Sequence, residues 1–142
     1  MGVSLSVSAQ QGLQINDIFE GVVVPKQAIK ESLIKGDGLE DYGLKVLHTA
    51  KFTADNTQRE VTELLFTEDM EERVSDDNSN MEMESRNGHL YYAIVQLKDK
   101  PKGTHRYICY QCKEQGENFN MTVVYMEGSA SLSDLRKTFK KK

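Results

Sequence analysis

No run of apolar residues in this 142-residue chain comes near the roughly 20 that a bilayer-spanning helix requires, so no membrane span is expected. Cysteine is scarce, with Cys109 and Cys112 the whole supply. Adding His105 gives three candidate ligands where a structural zinc site takes four, so no metal is expected there. Histidine occurs only as His48, His89 and His105, and no serine stands in a Gly-x-Ser-x-Gly elbow. That removes the usual footing for a nucleophile and its base. Glycine is missing where a calcium loop needs it. Asp76, Asn78 and Asn80 repeat the first liganding positions, but Met81 occupies the turn and Asn87 the place of the bidentate glutamate, so an ordinary polar loop is expected. Gly128-Ser129-Ala130-Ser131 lacks the lysine and the loop length of a phosphate cradle, and reads as a helix cap. Positive charge is not in excess either. Eighteen Lys and Arg stand against 22 Asp and Glu, a formal net charge of -4. Such a balance gives no general attraction to nucleic acid or anionic lipid. Together these gaps predict a domain with no cofactor and no enzymatic activity.

What is present fits one globular domain: 38% of residues are hydrophobic and 28% charged, too apolar for disorder and ordinary for a packed core. Charge is unevenly placed. An acidic stretch runs from Glu68 to Asp77, and Arg136, Lys137, Lys140, Lys141 and Lys142 end the chain, where cations complement the negative end of a helix. At the other end, the small apolar run Met1 to Val7 leads into Val7-Ser8-Ala9 and then Gln10-Gln11. This is the small-x-small pattern of signal peptidase cleavage, and it predicts a signal-peptide remnant over 1–9 with the domain at 10–142. The expected location is therefore periplasmic or extracellular, in soluble form.

Periodicity predicts the order of elements. Ile15, Ile18, Phe19 and Val22 suggest a short helix, capped by Asn16 or Asp17 and ending before Pro25. Residues 28–35 fit helix or strand equally. Gly36-Asp37-Gly38 is a turn, and Leu44 to Phe52 a strand with Leu44, Val46, His48 and Ala50 on one face. Thr57 to Glu60 has capping-box spacing ahead of an apolar stripe of Val61, Leu64 and Leu65. Asn87-Gly88 between Met81–Arg86 and His89–Leu97 is the strongest local signal, a type I′ hairpin turn. Strands over Thr104–Lys113 and Asn120–Met126 complete a meander, and Ser131 caps a last helix with Leu132, Leu135 and Phe139 on one face. The expected fold is α+β, an antiparallel meander sheet of about four to six strands with helices packed on one face.

Two sets of residues are candidates for chemistry. Cys109 and Cys112 form a Cys-x-x-Cys pair suited to thiol–disulfide exchange. On a strand, residues three apart point to opposite faces, so the expectation is one core and one surface thiol, with redox as the alternative. Tyr91, Tyr92, Tyr107 and Tyr110 give the central strands an aromatic surface, and each adjacent pair divides between the two faces.

The Asn87-Gly88 hairpin, the strand Met121 to Met126, Glu127-Gly128 and the helix around Leu132-Ser133-Asp134-Leu135 resemble small exported domains of unknown function of the Bacteroidetes type. The resemblance covers roughly residues 44–140. It implies an envelope or extracellular location and a sheet with helices, and it carries no functional residue. The functional expectation is a binding domain that meets a protein or other envelope ligand through its sheet face or an edge strand, with those tyrosines as candidate contacts.

Overall fold

The computed structural model describes residues 12–75 and 78–139. The signal reading of residues 1–9, Asp76 of the calcium-like loop, and Lys140 to Lys142 lie outside the described residues. Within them the chain forms six strands: β1 (Lys30–Lys35), β2 (Leu44–Ala54), β3 (Met81–Arg86), β4 (His89–Leu97), β5 (His105–Gln115) and β6 (Asn118–Gly128). Every pairing is antiparallel, and the sheet runs β1-β2-β6-β5-β4-β3. Three α-helices accompany it, α1 (Asn16–Phe19), α2 (Asn56–Asp69) and α3 (Leu132–Phe139). The class is α+β, as expected. The ambiguous stretch 28–35 resolves into strand β1, exposed along its length, which is why no periodicity marked it.

Turn chemistry sets the meander. Asn87 at φ 54° and Gly88 at φ 81° are both left-handed, the requirement of a type I′ turn whose twist matches the flanking strands. Gly116 at φ 64° closes the β5–β6 turn. Two bulges then re-aim side chains. The β2–β6 register slips between Leu44 and Val46, leaving Lys45 as the extra residue, so Leu44 and Val46 enter different hydrophobic clusters. The expected common face of Leu44, Val46, His48 and Ala50 therefore holds only from Val46 onward. A second slip between Glu84 and Ser85 makes Tyr91 the extra residue on β4.

The sheet buries apolar side chains on both faces. On one, Ile15 just ahead of α1, Ile18 and Phe19 of α1 and Phe66 of α2 pack on Val46, Ala50, Phe52, Val95, Ile108, Val123 and Tyr125. On the other, Leu135 of α3 and Leu39 pack on Leu44, Ile94, Tyr107, Val124 and Met126. Packing on a single face thus holds for α1 and α2. The short α3 is the exception, and Ser131 caps it as expected, accepting from Asp134 N at 3.1 Å. The side chain of Phe139 lies outside the described set.

Helix α2 keeps only Leu65 of its expected stripe, packed in part against the core. Its buried residues are Arg59, Thr62, Phe66 and Asp69, while Leu64 is 55% exposed and Val61 39%. The capping box also sits two residues earlier than Thr57, with Asp55 taking Gln58 N at 2.8 Å and Gln58 returning to Asp55 N at 2.9 Å. Polar residues can occupy the buried face because each makes hydrogen bonds there, although Arg59 Nε itself is buried without one. Arg59, 1% exposed, donates to Glu63 Oε1 at 2.9 Å and Asn56 Oδ1 at 3.2 Å and lies over the Phe119 ring at 5.3 Å. Thr62 donates to the Gln58 carbonyl at 2.8 Å. Asp69 accepts from Gln14 N at 2.6 Å and Ile15 N at 2.8 Å, which satisfies amides at the start of α1 from another element. Neither Asn16 nor Asp17 caps α1, and Val22 is exposed. Burial holds the Asp69 carboxyl above its ordinary range, against the pull of those two amides.

Where β2 begins and β6 ends, two glycines allow the backbones to touch. The Gly43 carbonyl accepts from both Ser129 N and Ala130 N at 2.9 Å. A Cβ on Gly128 would run into that carbonyl and the Leu44 Cα. Gly128→Ala is expected to destabilise the fold by about 2–4 kcal/mol through overpacking against immovable backbone, measured as a lower denaturation midpoint with unchanged slope.

Candidate functional site

Strand register decides which side chains meet on each face. One transverse row reads Lys51, Thr122, Gln111, Tyr92 and Glu84 on β2, β6, β5, β4 and β3. The adjacent row reads Ser32, Thr49, Val124, Cys109 and Ile94. Both rows belong to the face that α3 covers. The α3 cover sits over the rows toward Met126 and Tyr107, and Val124, Cys109, Ile94 and Tyr92 share its buried cluster, which leaves Ser32, Thr49, Lys51, Thr122 and Gln111 at least partly exposed.

An open cavity of about 760 Å³ lies there, lined by Ser32, Thr49, Lys51, Thr122, Gln111 and Lys113 among others. Tyr91 and Tyr92 form its wall near β3, and Thr138 of α3 its rim. Hydroxyl and amide groups dominate the middle, Lys51 and Lys113 stand to either side of β6, and Glu84 lies toward the β3 edge. The rim is fixed by an ion pair, Arg136 Nε to Glu82 Oε1 at 2.6 Å, which ties α3 to β3. Such a surface combines a rigid floor with convergent polar groups, the usual form of a binding site.

The four candidate tyrosines divide. Tyr91 reaches the cavity, held under the Arg86 guanidinium at 4.2 Å, while Tyr92 borders the cavity as a buried member of the α3-face core. Tyr107 is fully buried beneath the α3 end and donates to the Ala130 carbonyl at 2.5 Å, and burial pushes its phenol up to about 12. Tyr110 is buried on the opposite face, 5.3 Å from the Phe66 ring, its phenol raised chiefly by burial. Tyr107 and Tyr110 are core residues, each covered by a helix that alternation alone does not reveal.

The two cysteines are free and both buried, Cys109 in the cluster on the α3 face and Cys112 in the one on the α2 face, so the thiol expected at the surface is instead a second core residue, because each face of the sheet carries a helix. Strand β5 continues regularly through both, so the sheet stands between their side chains. Burial pushes the Cys109 thiol up to about 12 and raises Cys112 as well, against smaller pulls from the Tyr110 hydroxyl and then Arg59. The histidines are likewise spread. His48 donates from Nε2 to Glu31 Oε2 at 2.6 Å and stacks on Phe19 at 4.1 Å, whereas His105 Nδ1 meets Asp99 Oδ1 at 3.0 Å. Among the described residues no group of three or more His, Cys, Asp or Glu stands together as a metal site. None of their helices is long and apolar enough to cross a membrane.

A family model, described as a family of unknown function (DUF6108), matches residues 2–139. The chain belongs to this family. No curated protein and no solved structure matches it. The match takes in all six strands and the three α-helices, so the face bearing the cavity lies wholly within the family's extent.

Sequence reasoning missed Thr49, Lys51, Gln111, Lys113 and Thr122. Their polar alternation along β2, β5 and β6 was visible, but only the register places them in one row. The thiol geometry yields a direct expectation. At about pH 9 an ordinary thiol is largely ionised, whereas Cys109 stays neutral because its acidity is weakened by burial. Iodoacetamide should leave Cys109 of the native protein unmodified at that pH and label both cysteines after denaturation, read by intact and peptide mass spectrometry.

Proposed function

We propose that the chain is a non-enzymatic binding domain that takes an acidic segment of a partner protein on the open half of its α3 face. The supporting observation is the cavity of about 760 Å³, floored by a six-stranded sheet and left unroofed by α3. Lys51 and Lys113 supply charge for carboxylates, the threonines and Gln111 supply hydrogen bonds, and Tyr91 and Tyr92 supply rigid amphipathic contact area. The scattered histidines and separated cysteines support a binding role over catalysis or thiol exchange. Residues 1–9 read as a signal remnant and 10–142 as the mature domain. That pattern and the Bacteroidetes-type resemblance support a place in the bacterial envelope or outside the cell.

Two experiments test this reading. Titrating the labelled protein with a pool of short acidic peptides should shift backbone amide signals of Thr49, Lys51, Gln111, Lys113 and Thr122, with a neutral pool as control. The double variant K51E/K113E should weaken binding at least about tenfold by placing like charges against the peptide. Shifts confined to other surfaces, or affinity unchanged in the variant, would sink the proposal. Expressed in a Gram-negative host with the native coding sequence upstream of Met1 restored, the protein should fractionate with the periplasm and begin at about Gln10. Recovery with Met1 intact in the cytoplasm would count against export.

A further inference from the structure

Among the described residues, strand β1 is one end of the sheet, with β2 on one side and no strand on the other. Its register with β2 is unbroken from Lys30↔Lys51 to Lys35↔Val46. One backbone bond fixes the phase of this pairing. Gly36 N donates to the Lys45 carbonyl at 3.2 Å, which makes that couple the kind that exchanges hydrogen bonds. Alternation then assigns Ile34, Ser32 and Lys30 to inward bonding with β2. The N–H and C=O groups of Glu31, Leu33 and Lys35 consequently point away from the sheet.

The same three residues share a side-chain face, and their order is acid, apolar, base. Laid antiparallel against an identical strand with Leu33 opposite Leu33, Glu31 of each copy faces Lys35 of the other. All three couples in that register join outward-pointing backbone groups, so each exchanges both of its N–H···O bonds. A register shifted by one residue would set outward groups against inward ones. The side chains agree with the backbone on the same alignment: Lys35 of each copy comes beside the other copy's Glu31, the carboxylate that His48 Nε2 meets at 2.6 Å within its own chain, so the charges flank an apolar contact. Leu33 is 51% exposed and Ile34 42%, an uncommon amount of apolar surface for a free edge. At the far edge, β3 borders the bulge at Tyr91 and is tethered to α3 through Glu82. Edges carrying such features pair poorly.

We propose that β1 is a homodimerisation edge, at which two copies of this chain join their sheets about a two-fold axis through Leu33. The paired strands form one continuous sheet. Ser32, which lines the cavity of its own copy, then lies opposite Ile34 of the other, so the two cavities face the same dyad. This rests on strand phase and charge order, independently of what the cavity binds.

The test is sedimentation equilibrium of the full chain over a concentration series. A concentration-dependent dimer is expected. K35E sets Glu31 against an introduced acid, and E31K sets Lys35 against an introduced base, so each alone should raise the dimer dissociation constant at least about tenfold. An equimolar mixture restores opposite charges at both positions and should recover the dimer, which neither a folding defect nor a generic charge effect would do. L33K, which leaves the β1–β2 bonds untouched, should be monomeric with an unchanged circular dichroism spectrum. A wild-type monomer at every concentration, a dimer indifferent to L33K, or a mixture that fails to recover would each overturn the proposal.

Discussion

Strand β6 holds the molecule together. It is the last strand along the chain and lies inside the sheet, paired with β2 from Leu44↔Gly128 to Ala54↔Phe119 and with β5 along its whole length. Remove it, and the β1–β2 hairpin shares no backbone bond with the β3–β5 meander. Its side chains feed both cores, Met121, Val123 and Tyr125 beneath α1 and α2, Val124 and Met126 beneath α3. Even its charged end is committed: Glu127 is buried, accepting from Tyr125 Oη at 2.7 Å and from Lys100 Nζ at 3.2 Å. A buried carboxylate is tolerable only with partners of this kind.

The two faces that β6 divides are finished differently. The α1–α2 side is closed by apolar contacts and locked by polar ones, with Asp69 holding the entry to α1 and Arg59 bridging α2 to the Phe119 ring. The α3 side has one short helix for a sheet wide enough to need more. Its open half carries threonines, lysines and a glutamine, polar groups that suit a partly wet surface. An antiparallel sheet can leave part of one face wet in this way, and here the wet part is concave.

Much of the fold was legible because it rests on residues with few alternatives. Asn87-Gly88 announces its turn since both positions take positive φ. The strands around it alternate, and Ser131 ahead of Leu132 marks a helix start. What resisted reading depended on partners distant in sequence. The α2 face misled because Arg59, Thr62 and Asp69 are buried by virtue of their bonds while Val61 and Leu64 point outward, so apolar periodicity picked the wrong stripe. Leu44 changed faces through a bulge that no local pattern records. Strand β1 was ambiguous because both its sides are exposed and nothing enforces alternation. The opposed directions of Cys109 and Cys112 followed from the strand alone, and the cavity did not, since a row across five strands exists only once the register is known.

The position of β6 also shapes how the chain behaves while it is being made. On the ribosome, β1 and β2 emerge early and can form only a lone hairpin, a marginal structure in water. The edge of β2 that will receive β6 stays bare until Asn118–Gly128 has been synthesised, and pairings so distant in sequence close slowly. The nascent chain therefore remains open and threadable until near the end of the matched region. Such a chain keeps its fate undecided for most of translation, exposed to chaperones until its sheet can close.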